Sequence, residues 1–289
     1  MTDLSGSGPH SPAQKIHYTL RIASAMCFIG HGAFGIITKP IWCNYFAVAG
    51  IGHDLAYRLM PLVGVADILC GLCLLVYPLR AVAAWLVCWG LITASMRPLS
   101  GEPFAEMIER AGNYCAPLAL LLLSGISGGR EKKVGLPGKA IGGGLLSRLD
   151  PHSRPDERGF RMVLLTLRIA VFLLLLGHGW LNLIEKKSLL QQYTALGFSQ
   201  PVQVARLVGM FELLAAVAVL VRPVRPLLLA FFVWKMATEL FYPQWEAFEW
   251  IERGGSYGCL LALWFALEKT PINQLTFTQN TAKNEKVFS

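Results

Sequence analysis

Charged residues are scarce in this 289-residue chain. Only 15% are Asp, Glu, Lys or Arg, while 54% are hydrophobic; a soluble domain of this size carries roughly a quarter charged residues. That shortage excludes a soluble globular protein. The opening residues, MTDLSGSGPHSPAQ, lack the basic-then-apolar pattern of a cleaved secretory signal, so the first apolar segment is expected to remain in the mature protein. No His-x-x-x-His or Glu-x-x-His spacing occurs, which removes independent support for a helical metal site.

In place of charge the chain has apolar runs long enough to cross a bilayer as helices. They fall at roughly 18–38, 59–77, 80–97, 113–127, 163–183, 204–221, 224–242 and 255–268. The expected fold is all-α: a polytopic membrane protein with eight transmembrane helices. The net charge of +8 is not a nucleic-acid signature, because its distribution follows the membrane. Residues 128–162 hold eight Lys/Arg against four acids, and the short turns carry Arg80, Arg222 and Arg225. The opposite connections carry Glu102, Glu106, Glu109, Glu246, Glu249 and Glu252. The positive-inside rule then predicts an inner (cytoplasmic) membrane protein with both termini and the basic linker in the cytoplasm. Lys39, Lys186 and Lys187 are exceptions on the outer side.

The sequence repeats itself. LRIA at 20–23 recurs at 167–170, and the same spacing of 147 carries Gly30-His31-Gly32 onto Gly177-His178-Gly179 and Lys39 onto Lys186. Gly64 and Asp67 match Gly209 and Glu212, and Arg80 matches Arg225, at a spacing of 145. EMIERAGNY at 106–114 matches EWIERGGSY at 249–257 at 143. Four expected spans per copy is an even number, so both copies should have the same orientation, as parallel repeats about a pseudo-two-fold axis along the membrane normal. The expected organisation is a disordered tail (1–15), a first unit (16–127), a basic linker (128–162) serving as a flexible tether, a second unit (163–269) and a cytoplasmic tail (270–289).

Counting depth at 1.5 Å per residue puts His31 level with Asp67, and His178 level with Glu212, in the outer half of the bilayer. Intramembrane ionisable groups are costly and face a partner or a cavity, so two His–carboxylate pairs are expected. Glu106 and Glu109 lie on one helical face, with Arg110 and Tyr114 following; Glu249, Glu252, Arg253 and Tyr257 repeat the pattern. Lys235 and Glu239 occur only in the second unit, where the first has Gly90 and Ala94. His178, Glu212, Lys235 and Glu239 are therefore the candidate catalytic set. His31, Asp67, Glu106, Glu109, Arg110, Tyr114, Glu249, Glu252, Arg253 and Tyr257 are candidate ligand-binding residues. On this reading the second unit is the chemically competent one.

Gly-His-Gly strips bulk from around an imidazole, so a helix or a flat ligand can approach it closely. Three readings stand: a structural histidine, a site for quinone or another flat redox ligand, and haem or metal ligation by His31 and His178. Cys70 and Cys73 form a CxxC within an apolar run, but Ala215 and Ala218 at the second-unit positions favour simple packing over redox pairing. Arg21 and Arg168 read as snorkelling anchors, and Trp245, Phe248 and Trp250 as an interfacial belt. Lys39 and Lys186 stand at the outer ends, able to bind an anionic group or lipid phosphate.

Several of these residues together resemble the DoxX family of small four-helix membrane proteins. They are the leading Leu20-Arg21, the late glycine followed by Lys39 or Lys186, Gly64/Asp67 and Gly209/Glu212, and the basic turn at Arg80 or Arg225. The resemblance implies association with membrane redox systems, including thiosulfate:quinone oxidoreductase subunits. The function expected is a membrane component of a quinone-linked redox system with an outward-opening polar site. The alternatives are a non-catalytic subunit or assembly factor and a haem-binding membrane protein. A solute transporter is disfavoured because no broken helix is legible. Expected partners are membrane lipid and a redox subunit or a second copy of the chain.

The charge asymmetry makes a topological prediction. In a cysteine-depleted background, single cysteines near Lys132 or Lys283 should resist an impermeant maleimide in intact cells. Cysteines near Glu102 or Glu246 should be labelled; the reverse pattern would invert the orientation.

Overall fold

The structure is a computed structural model and describes residues 11–125, 144–153, 155–241 and 246–268, with Glu246 defined only in its backbone. It is helical, with no strand among the described residues. The helices are α1 (Pro12–Ile36), α2 (Trp42–Val48), α3 (His53–Val76), α4 (Arg80–Leu99), α5 (Ala105–Glu109), α6 (Ala111–Leu123), α7 (Glu157–Leu183), α8 (Lys187–Ala195), α9 (Pro201–Val221), α10 (Arg225–Thr238), α11 (Glu246–Glu252) and α12 (Gly254–Ala266).

Five of them (α1, α3, α4, α7 and α9) are long and apolar enough to cross a membrane. The chain is a multi-pass membrane protein. The outer faces of α3 and α9 fit that setting: Leu62, Leu69, Leu207, Leu214 and Val221 are exposed, a surface that suits lipid rather than water. The other expected spans fall on α6, α10 and α12, which have 13, 14 and 13 residues. Two of these are short because the helix breaks just before them. The backbone leaves helical geometry at Arg110, between α5 and α6, and at Arg253, between α11 and α12. The expectation of unbroken helices is thereby corrected; arginine is a good helix former, so its sequence gave no sign of the break.

Helix ends are satisfied by arginines. Arg21 on α1 donates from Nε to the Leu74 carbonyl at 2.6 Å and also reaches Leu75. Arg168 on α7 donates to Leu220 and, at 3.2 Å, to Val221. These are the unpaired last carbonyls of α3 and α9, where a cation also complements the helix dipole. Arg80 serves the end of α6 in the same way, donating to Ser124 at 2.6 Å and to Gly125. The matched Leu-Arg of the two copies is thus a capping device rather than a lipid anchor. The basic linker is not wholly a free tether either: the Arg80 and Ala81 amides donate to Ser147 and Leu145, and Leu149 donates back to Pro78, fastening 145–149 to the start of α4. Residues 1–10, 126–143 and 269–289 lie outside the described residues; of the tail expected to be disordered over 1–15, Pro12 to Lys15 instead form the first turn of α1, capped by Ser11.

The core runs through α1, α6, α7 and α12, with Ile16, Leu20, Leu120, Leu167, Leu175 and Leu263 buried in one cluster. α1 packs on α3, and α7 on α9; α1 also meets α11 and α12, while α7 meets α5 and α6. Where apolar burial gives no drive, close backbone packing through small residues holds helices together. A Cβ on Gly32 would lie 2.5 Å from the Gly64 carbonyl oxygen, and one on Gly179 would lie 2.9 Å from that of Gly209. Gly32→Ala should therefore destabilise the protein by about 1–3 kcal/mol. Gly52→Ala, with open space around it, should be neutral. Equal melting temperatures in detergent for the two variants would refute the close-packing account.

Candidate functional site

Both His–carboxylate pairs form. His31 Nδ1 lies 2.7 Å from Asp67 Oδ2, and His178 Nδ1 lies 2.6 Å from Glu212 Oε2. The flanking glycines do separate jobs. The glycine after each histidine meets the partner helix, as above. The glycine before it admits the broken helix of the other half: a Cβ on Gly30 would overlap the Glu252 amide, and a Cβ on Gly177 the Glu109 amide. Gly-His-Gly thus carries an imidazole through a point where three helices touch backbone to backbone.

The outer connections interlock the halves through charge. Lys39 donates to Glu249 at 2.5 Å, and Lys186 pairs with Glu106 at 2.5 Å. Both lysines follow a left-handed residue, Thr38 or Glu185, that turns the chain after α1 and α7. They are ion-pair partners rather than free anion sites. Glu106 also meets Arg110 at 2.7 Å and Arg97 at 3.5 Å. Glu109 lies between Arg110 at 3.1 Å and Arg253 at 2.6 Å, and Arg253 continues to Glu239 at 3.0 Å. Buried charges persist only when compensated in this way.

The second-half pair is sealed within this network. Asn182 Nδ2 donates to Glu212 Oε2 at 3.3 Å, and Tyr193 donates to Asn182 Oδ1 at 2.8 Å. Lys235 Nζ sits 3.6 Å from Glu212 and 3.8 Å from Glu239. Gln192 donates to the Thr238 carbonyl at 2.7 Å. Burial, and then the nearby Glu212 charge, raise the pKa of the Tyr193 hydroxyl above its ordinary value, so it remains a donor.

The first-half pair borders open space instead. A cavity of about 270 Å³ is lined by His31, Trp42, Tyr45, Trp89, Arg97 and Glu252, among others. Trp42 lies against the imidazole, ring centroids 4.6 Å apart. The His31 side chain is 15% exposed, against 5% for His178. Tyr45 donates to Glu102 at 2.5 Å; burial, and the hydrogen bond to that carboxylate, raise its phenol pKa.

The halves differ because the matched positions differ. Ala94 lines the cavity, and its second-half match is Glu239; Gly35 matches Asn182, and Tyr45 and Phe46 match Gln192 and Tyr193. Lys235 and Glu239, part of the candidate catalytic set, lie buried beside Glu212, and neither is among the residues lining the cavity beside His31.

Of the remaining expected residues, Arg110 lines the cavity, while Tyr114 packs against the apolar core. Tyr257 is buried beside Trp250, ring centroids 6.0 Å apart. Trp250 donates to the Met236 carbonyl at 2.9 Å, and Phe248 packs edge-on to Phe34, so these two belong to helix packing. Trp245 lies outside the described residues. Sequence reasoning missed Trp42, Tyr45, Arg97, Asn182 and Tyr193. Asn182 had a usable signal, one helical turn after His178; Trp42, Tyr45 and Tyr193 sit on α2 and α8, which read as plain connections. Among the described residues no group of three His, Cys, Asp or Glu side chains gathers as a metal-ligand set.

No family model matches the chain, and no curated protein or solved structure matches it.

Removing one member of a buried charge network leaves its partners uncompensated, at a cost of about 3–5 kcal/mol. Glu109→Gln, which strips the carboxylate between Arg110 and Arg253, should lower stability by that order. Glu157→Gln, whose partner Arg161 is exposed, should change it by less than about 0.5 kcal/mol. Thermal unfolding in detergent measures both, and equal effects would refute a structural role for the cross-half pairs.

Proposed function

We propose that the chain is a membrane component of a quinone-linked redox system, and that its ligand site is the cavity beside His31. One observation carries this reading: an imidazole fixed by Asp67 and flanked by Trp42 borders an aromatic, partly polar cavity of about 270 Å³. Such a space suits a flat ring held by a few placed polar groups. With Nδ1 facing Asp67, His31 has Nε2 left for the ligand head. Asp67 orients the ring, and an imidazole held at the ligand head can pass a proton, a useful arrangement because quinone reduction moves protons with electrons. Electrons are exchanged with a partner redox subunit.

The same proposal includes the architecture. Two four-helix units lie parallel, each contributing a broken fourth span (α5 with α6, α11 with α12), to give eight spans. The matched sequence spacings and the paired contacts Lys39–Glu249 and Lys186–Glu106 support it. The termini are cytoplasmic and the site opens outward. The resemblance to DoxX proteins favours this function.

A second reading, solute transport, draws on the breaks at Arg110 and Arg253, since interrupted helices bearing charge at mid-span are common at carrier sites. The two readings separate on ligand. A short-tailed benzoquinone should bind the purified protein. His31→Ala should weaken binding roughly tenfold or more through loss of a hydrogen bond and a wall of the cavity. Ala94→Glu, which places the second-half residue in the cavity, should abolish binding, and His178→Ala should leave affinity within about threefold, less than one such bond. Loss of binding in His178→Ala with retention in His31→Ala would refute this assignment. Uptake of a polar solute by proteoliposomes, without quinone binding, would favour the carrier.

A further inference from the structure

One charged group in the cavity wall makes no direct side-chain contact with a partner among the described residues. The cations of the wall contact other carboxylates: Lys39 contacts Glu249, Arg97 through Nη1 contacts Glu102 at 3.0 Å, and Arg110 through Nη1 contacts Glu106 and Glu109. Glu252 is only 7% exposed and lines the cavity, yet no side chain among the described residues forms an ion pair or hydrogen bond with its carboxylate within 4 Å. Its second-half match, Glu109, touches two arginines. The difference is not one of backbone, since Gly30 and Gly177 receive Glu252 and Glu109 alike. A carboxylate that borders a cavity and contacts no protein donor can accept a hydrogen bond from a ligand.

We infer that Glu252, supplied by the second half to the cavity of the first, is the hydrogen-bond acceptor for a ring hydroxyl, and that the site takes the reduced, hydroxyl-bearing quinol in preference to the quinone. This inference rests on the quinone-site reading above. Two acceptors face a ligand there: the carboxylate of Glu252, and Nε2 of His31 in the tautomer whose Nδ1–H is given to Asp67. A quinol brings two O–H donors on opposite edges of one ring. A quinone brings two carbonyl acceptors, which leave Glu252 unsatisfied and set oxygen lone pairs against it. The Asn113 amide, also on the cavity wall, serves either form. An ammonium ligand would satisfy Glu252 but would face Lys39, Arg97 and Arg110 in the same wall; a neutral hydroxyl does not. The charged groups that face Glu252 are His31, Arg110, Lys39 and Arg97, so the carboxylate is held within a cationic rim while its donor place stays open.

The test compares a short-tailed benzoquinol with its own oxidised quinone, bound anaerobically to the full-length purified protein. The quinol should bind at least tenfold more tightly, as expected when a charge-assisted hydrogen bond is made in one form and not the other. Glu252→Gln, nearly isosteric, should reduce that preference to less than about threefold, below the worth of one such bond. The wild-type comparison stands on its own if the variant does not fold. Equal binding of quinol and quinone to the wild type would overturn this inference and leave the quinone site standing. A preference that survives Glu252→Gln would overturn the role of Glu252. Binding of neither form would overturn both this inference and the reading beneath it.

Discussion

Everything at the centre of this protein depends on backbone-to-backbone contact at the Gly-His-Gly segments. Gly30 and Gly177 let the amides of Glu252 and Glu109 approach α1 and α7 so closely that even a methyl group would collide. A third contact, between Gly112 and Gly255, brings the two broken helices together. In a membrane, where lipid solvates apolar side chains as well as protein does, contacts of this kind supply much of the specificity of helix packing. They also fix the chemistry, because each approach delivers a carboxylate from one half to the histidine of the other.

That close approach concentrates charge where charge is expensive. Glu106, Glu109, Arg110, Arg253 and Glu239 are tolerable at depth because each faces an opposite sign. The breaks at Arg110 and Arg253 have a place in the same scheme. Glu106 and Arg110 stand at the i,i+4 spacing of an ordinary helical pair, and at the interruption Arg110 also reaches Glu109.

Different side chains stand at the positions that the sequence spacings match beside the two histidines. In the second half Asn182, Tyr193, Lys235 and Glu239 surround the histidine and Glu212 with hydrogen bonds and ion pairs. In the first half Gly35, Phe46, Gly90 and Ala94 stand at those positions, and a cavity results. The open space thus lies in the half with fewer ionisable groups beside its histidine.

The membrane setting, the recurrence of motifs along the chain and the two His–carboxylate pairs were legible in the residues alone. Scarce charge and long apolar runs have no soluble alternative, and a fixed spacing between identical motifs needs no coordinates to be seen. Depth counting sufficed for His31 with Asp67 and His178 with Glu212, because a helix advances by a constant rise per residue. Only the tertiary structure decided that Lys39 and Lys186 cross to the opposite half, that Arg21 and Arg168 cap helices, and that the cavity lies beside His31. Those outcomes depend on which faces of non-adjacent helices meet. Lys235 and Glu239 illustrate the limit: a lysine and a glutamate one turn apart look the same in sequence whether they line a reaction site or fill it.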